Sequence, residues 1–254
     1  MRTYRFDLLK VCVHTDRVTM ARAAARHAAQ NIRRACDRGE ARVVFACAPS
    51  QSEFLDALTS RALDWSRVIA FHMDEYVGVD ASHPQSFRRY LHEHLFANVG
   101  AFKAFHGIDG VAPDLDGECV RYGARLAAHE PIDLVCMGIG ENGHLAFNDP
   151  PVANFHDPQF VKIVTLDQTC RQQQVNDGCF PTLDAVPTQA LTLTIPALLF
   201  TREISCVVPG ERKAAAVRDA LLGPIRTSCP ASILRTHPRA VLHIDEAAAS
   251  LLPK

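Results

Sequence analysis

Two segments carry side chains whose types and spacing suit proton chemistry. The first is His72-Met73-Asp74-Glu75-Tyr76-Val77-Gly78, which sets two carboxylates side by side after an apolar run. A carboxylate leaving a buried strand acts as a general base when burial or a neighbour moves its pKa toward the working pH. The competing reading is structural: Asp74 caps a turn and Glu75 is solvated. The second segment runs from Gly138 to Pro150 and reads Gly-Ile-Gly-Glu-Asn-Gly-His-Leu-Ala-Phe-Asn-Asp-Pro. Its glycines Gly138, Gly140 and Gly143 let backbone approach a ligand closely. Their spacing matches neither the dinucleotide fingerprint nor the P-loop lysine pattern. What singles the loop out is His144, with Asp149 five residues on. An imidazole held by a carboxylate can shuttle protons near neutral pH. A lone histidine is more often structural, but one in a glycine loop at a strand's carboxyl end favours function.

Two basic residues could hold an anion. Lys213 follows Val207-Val208-Pro209-Gly210, where strand gives way to helix, so its ammonium can reach a group near that helix's N-terminus. Arg171 lies in Asp167-Gln168-Thr169-Cys170-Arg171-Gln172-Gln173-Gln174 and could grip a phosphate through two parallel hydrogen bonds. Each taken alone reads equally well as a surface charge.

These residues need a frame, and the hydrophobic pattern supplies one. Helical spacing covers Val18 to Ala35, Gln85 to Leu95, Gly117 to His129 and Arg212 to Leu222. A further helix, capped by Ser50 or Ser52, would carry Phe54, Leu55, Leu58 and Ala62 on one face. Short apolar runs predict strands at Ala41 to Cys47, Val68 to Phe71, Ile132 to Met137, Ile204 to Val208 and Ala240 to Ile244, and alternation predicts one at Ala190 to Ile195. Strands separated by helices predict an α/β fold, a mainly parallel sheet with helices on both faces. Ligands of such sheets bind beyond the carboxyl ends of the strands. That rule selects the segments after Cys47, after Phe71 and after Met137.

The 254 residues suit one domain, spanning 1–254, and 48% apolar content allows a sizeable core. Basic and acidic residues number 27 and 28 without a like-charge block, which gives nucleic acid or a membrane surface no electrostatic purchase. The nine cysteines form no close pairs and read as small buried hydrophobes rather than a disulfide framework or zinc site. With no signal peptide or spanning segment in view, a cytoplasmic protein is the simplest expectation.

Taken together, Phe71 to Gly78, His83-Pro84-Gln85-Ser86 and Gly138 to Pro150 resemble the glucosamine-6-phosphate deaminase family, which shares a fold with 6-phosphogluconolactonases. Weaker likenesses are Val186-Pro187 with Ala190-Leu191-Thr192, Gly210 to Lys213, and Ser232-Ile233-Leu234 with His237-Pro238. All occur in family order over roughly residues 40 to 245. The resemblance implies a Rossmann-like fold of the sugar-phosphate isomerase type. It implies isomerisation of glucosamine 6-phosphate with loss of ammonia, without metal or organic cofactor. Asp74 would be the base at the second sugar carbon, and His144, oriented by Asp149 with Asn142 beside it, would open the ring. Arg171 and Lys213 would hold the phosphate, with Ser50, Ser52 and the backbone at Gly138 and Gly140 completing the cradle. The partner is a small sugar phosphate, with homo-oligomer formation left open.

The chain departs from the family pattern in three places. The phosphate loop reads Ala46-Cys47-Ala48-Pro49-Ser50-Gln51-Ser52-Glu53, where Pro49 removes a backbone donor and Glu53 would oppose a phosphate. Asp149 stands where glutamate is usual, so its shorter arm must come closer to His144. The stretches Pro151 to Pro158 and Thr194-Ile195-Pro196 also differ, in parts expected to touch substrate. A lactonase or another sugar-phosphate isomerase is therefore the alternative enzyme, and a sugar-phosphate sensor the non-enzymatic one. Asp74 with His83 to Ser86 speaks against the lactonase, and the presence of both Asp74 and His144 against the sensor.

Overall fold

The computed structural model describes residues 1–253. Eight strands form the central sheet: β1 (Arg2–Phe6), β2 (Leu9–His14), β3 (Ala41–Phe45), β4 (Val68–His72), β6 (Ala104–His106), β7 (Leu134–Met137), β10 (Ile204–Val208) and β11 (Ala240–Asp245). Their order across the sheet is β1-β2-β11-β10-β7-β3-β4-β6, and every pairing is parallel except the β1–β2 hairpin. The expected parallel α/β sheet is therefore present, and the N-terminal hairpin is an addition that the sequence reading did not contain.

Side chains alternate across a strand, and here the alternation divides the core in two. Val44, Ile69, Phe71, Val135 and Met137 point to one side, where they pack with residues of α4 (Leu115–Ala128), α6 (Ile195–Leu199) and α7 (Ala214–Leu222). Val43, Phe45, Val68, Ala70, Leu134 and Cys136 point to the other, against α1 (Arg17–Asp37), α2 (Ser52–Thr59) and α3 (Phe87–His94). Both faces are covered, which is why these strands read as continuous apolar runs. All nine cysteines are free, and all but the half-buried Cys179 are buried. Among the described residues, no helix is long and apolar enough to cross a membrane.

A second, antiparallel sheet joins β5 (Asp74–Tyr76), β9 (Gln189–Leu193) and β8 (Val161–Thr165). The strand expected at Ala190 to Ile195 thus belongs to this small sheet, and Ile195 already opens α6. The helix after β3 also begins differently from the expectation. Gln51 occupies its cap position without a side-chain bond, Ser52 is its first residue, and Ala62 lies beyond its end on the surface.

From β3 the chain runs outward to β4 and β6, whereas from β7 it runs the other way to β10 and β11. β3 and β7 are neighbours, so the direction of winding reverses between them. The chain leaves their carboxyl ends in opposite directions, and a crevice lies there, the usual ligand position of an open α/β sheet.

Candidate active site

The crevice is lined by the loops that follow four adjacent strands. Cys47, Ala48, Ser50 and Gln51 follow β3, and Met73 and Asp74 follow β4. Gly138, Gly140, His144 and Phe147 follow β7, and Lys213 follows β10. Gln173 and Gln174, on α5 (Gln168–Asn176), close the remaining side.

The two adjacent carboxylates have different surroundings, as alternation along β5 requires. Asp74 faces the crevice. Burial first, then the charge of Glu75, pushes its carboxyl well above the usual carboxylate range. Glu75 is fully buried, contrary to the solvated reading, and ties down the start of α3. Its carboxylate accepts from Ser86 Oγ at 2.9 Å and from the Phe87 and Arg88 amides at 3.1 Å. Negative charge is favoured at a helix N-terminus. Ser86 in turn accepts from the Arg89 amide at 3.4 Å as the helix cap. The His83 to Ser86 stretch therefore matters through the anchoring of β5 to α3.

His144 sits on the cleft wall with Nδ1 directed inward. That nitrogen lies 2.9 Å from Asp149 Oδ1 and 2.8 Å from Asn142 Oδ1. Asn142 Nδ2 donates to Asp149 Oδ1 at 2.9 Å, which turns the Asn142 oxygen toward the ring. Facing two acceptors, Nδ1 carries the proton in the neutral imidazole and leaves Nε2 free as acid or base. Asp149 is fully buried and would be raised by burial, but its bonds from His144, Asn142 and the Asp167 amide outweigh that and lower it. The aspartate arm is long enough to reach the imidazole. Gly140 lies flat against that ring: a Cβ there would fall 2.1 Å from His144 Cε1.

Lys213 reaches the crevice from a 3-10 turn, Glu211–Lys213. Gly210 enters that turn at φ 89°, a conformation that suits glycine, and its amide is clamped by both Asp245 oxygens at 3.0 and 3.1 Å. Burial lowers the Lys213 pKa, against the raising charges of Glu141 and Asp177. Its ammonium has no hydrogen-bond or ion-pair partner among the described residues, and it is the cation on the crevice wall.

Several expected site residues stand elsewhere. Arg171 is turned from the crevice, with Nη2 donating to the Leu183 and Val186 carbonyls at 2.6 and 3.0 Å. Ser52 exchanges a hydrogen bond of 3.1 Å with Tyr90 and does not line the cleft, whereas Ser50 does. Glu53 does not oppose an anion there, because Arg17 holds its carboxylate at 2.5 Å. Pro151 to Pro158 and Thr194 to Pro196 are also absent from the lining, and Thr194 caps α6. Gln51, Gln173 and Gln174 are lining residues that the sequence reading missed. Gln51 Nε2 donates to the Val207 carbonyl at 3.2 Å, and Gln173 Oε1 accepts from the Glu141 amide at 2.9 Å. The run of glutamines beside Arg171 was the one visible signal, and only the helical phase tells which of them face inward.

The family description "glucosamine-6-phosphate isomerases/6-phosphogluconolactonase" matches residues 15–242. The chain belongs to this family. A glucosamine-6-phosphate deaminase of Listeria monocytogenes is 35% identical over 231 residues, 91% of this chain and 96% of the relative. One of Lactobacillus delbrueckii subsp. bulgaricus is 35% identical over 219 residues, covering 86% and 91% of the two chains. Among solved structures, a monomeric glucosamine-6-phosphate deaminase superposes with a TM-score of 0.87 at 29% identity, over 95% of this chain and 99% of that one. A 6-phosphogluconolactonase of Shewanella baltica reaches 0.75 at 19% identity, over 92% and 96%, a likeness of fold alone. The family's enzymes act on sugar phosphates.

Proposed function

We propose that the protein converts glucosamine 6-phosphate and water into fructose 6-phosphate and ammonia. The observation that carries this reading is the meeting in one crevice of a buried, hydrogen-bond-free carboxylate, an oriented imidazole and an unpaired ammonium. Lys213 holds the phosphate, and the Ser50 hydroxyl with the backbone at Gly138 and Gly140 completes its surroundings. His144 Nε2 carries the proton between the hemiacetal hydroxyl and the ring oxygen, which opens the pyranose.

The open form is a 2-amino aldehyde, whose C2 hydrogen is acidified by the adjacent carbonyl. Asp74 takes that proton, and the electron pair flows to the carbonyl oxygen, which is protonated to an enolamine. Return of a proton to C1 leaves a primary alcohol there and an imine at C2. Water adds to the imine carbon, the nitrogen is protonated, and ammonia departs as the C2 ketone forms. Each step is acid–base work on a substrate fixed by its phosphate, where positioning and correct protonation supply the rate.

The test is release of ammonia and fructose 6-phosphate by wild type and Asp74→Asn. Turnover in the first, lost in the second with substrate still bound, is the expected result. A wild type that leaves glucosamine 6-phosphate untouched but hydrolyses a phosphorylated lactone would overturn the reading.

A further inference from the structure

Behind the imidazole lies a third donor that the deamination reading does not use. We propose that His144, Asp149 and Cys170 form a site for a thiophilic divalent cation, zinc foremost, whose binding switches the enzyme off. Each of the three offers one ligand atom, and these atoms all lie within 4.8 Å of one another. A tetrahedral zinc with bonds of about 2.0 to 2.3 Å needs ligand atoms roughly 3.3 to 3.7 Å apart, a rearrangement of side chains rather than of backbone.

The three donors are held by two elements that are themselves tied together. His144 and Asp149 belong to the loop after β7, and Cys170 to the first turn of α5. The Asp167 amide at the start of that helix donates to Asp149 Oδ2 at 3.4 Å. His144, Asp149 and Cys170 are all buried. Cys170 packs among Tyr76, Phe147, Leu166 and Phe180, which keep bulk water from competing for the cation.

The chemistry of the set selects the ion. One imidazole, one thiolate and one carboxylate suit zinc or cadmium. Magnesium and calcium require six or more oxygen ligands, which this cluster does not supply. Three protein ligands leave a fourth position for water or a further donor.

Binding releases the thiol proton to solvent as the metal–sulfur bond forms. His144 meets Asp149 through Nδ1, so that nitrogen gives its lone pair to the metal and the ring proton passes to Nε2, which can then no longer accept one. Inhibition as the consequence rests on the reading of His144 as the ring-opening group; the site itself does not.

The experiment uses the full chain, freed of metal, with Cys170→Ser and Cys170→Ala beside the wild type. Zn²⁺ is titrated against deamination, and Cd²⁺ is followed by its thiolate-to-metal ultraviolet absorption. In the wild type, Zn²⁺ inhibits and a chelator reverses it. Both variants keep their metal-free turnover, need at least about tenfold more Zn²⁺ for the same inhibition, and lose absorption equal to one cadmium–thiolate bond. Equal Zn²⁺ sensitivity in wild type and variants, or an undiminished Cd²⁺ band, overturns the proposal. Should the variants lose turnover, or the wild type not act on glucosamine 6-phosphate, the band alone decides the site. Failure of the site and failure of the deaminase reading are thus recorded separately.

Discussion

Gly140→Ala tests the imidazole through its position, leaving its chemistry untouched. Gly140 is not at a positive φ, so alanine strains no backbone there. Its Cβ, however, would stand 2.1, 2.2 and 2.3 Å from His144 Cε1, Nε2 and Nδ1, whereas ordinary contact begins at 3.4 Å. The ring must therefore retreat by about 1.2 Å, or the glycine loop must shift by as much. Retreat is opposed by the bonds that hold Nδ1 at 2.8 and 2.9 Å to Asn142 and Asp149. A displacement of this size at a reacting group costs about 100-fold in rate, with overpacking costing about 1–3 kcal/mol of stability. We expect kcat for fructose 6-phosphate formation to fall by about that factor with little change in KM. Thermal melting verifies that the variant is folded. A folded Gly140→Ala enzyme with wild-type kcat would refute either the placement of His144 or its part in the reaction.

Four further outcomes follow from the electrostatics. Asp74→Asn should melt higher than wild type at neutral pH, by about 1–2 kcal/mol or roughly 2–4 °C per kcal/mol. Because the folded carboxyl is raised, its ionisation costs stability increasingly as pH climbs above the ordinary 3.8, so the advantage must shrink on acidification. The same upward shift places the acid limb of the wild-type kcat/KM profile above the usual carboxylate range, and a limb at or below it would contradict the assignment of Asp74 as base. Lys213→Gln removes a charge-assisted bond of about 1.5–3 kcal/mol, so KM should rise roughly 10- to 150-fold while kcat changes little. An unchanged KM would mean that the phosphate lies elsewhere. Finally, His27 and His243, depressed by burial to about 4 and about 3, must take up protons on unfolding. Their contribution to stability is full above the ordinary 6.5 and declines as pH falls toward those values. The slope is at most about 1.4 kcal/mol per pH unit for each histidine. A melting temperature indifferent to pH over that window would show that neither is buried as described.

What the sequence made legible is what depends on short-range pattern. Asp74 and His144 could be picked out because each follows a short apolar run that reads as a buried strand, and ligands bind beyond the carboxyl ends of such strands. Helical phase was harder. Asp167 caps α5 by accepting from the Thr169 amide at 2.8 Å, and the phase that follows turns Arg171 away and Gln173 and Gln174 inward. A start one residue earlier or later would have reversed that. Long-range partners were beyond reach altogether: nothing near Glu53 announces that Arg17, 36 residues away, neutralises it. The second sheet escaped notice although β9 was expected as a strand, because β5 is only three residues long with two carboxylates among them, and β8 was not recognised.

The pair Asp74-Glu75 shows how one structural element serves both stability and chemistry. Burial raises both carboxyls, and is the largest influence on each. For Glu75 the cost is largely offset: Ser86, Phe87, Arg88 and the Tyr76 amide at 3.1 Å donate to it, and Arg88 Nε stands 3.5 Å away. Asp74 receives no such bonds among the described residues, and the fixed charge of Glu75 adds to its penalty. A carboxylate deprived of hydrogen bonds is a stronger base than one that is satisfied. The fold thus concentrates its hydrogen-bond donors on the residue that holds β5 to α3 and withholds them from the neighbour that faces the crevice. Exchanging the two demands, with a donor brought to Asp74, would stabilise the protein and weaken the base in the same step.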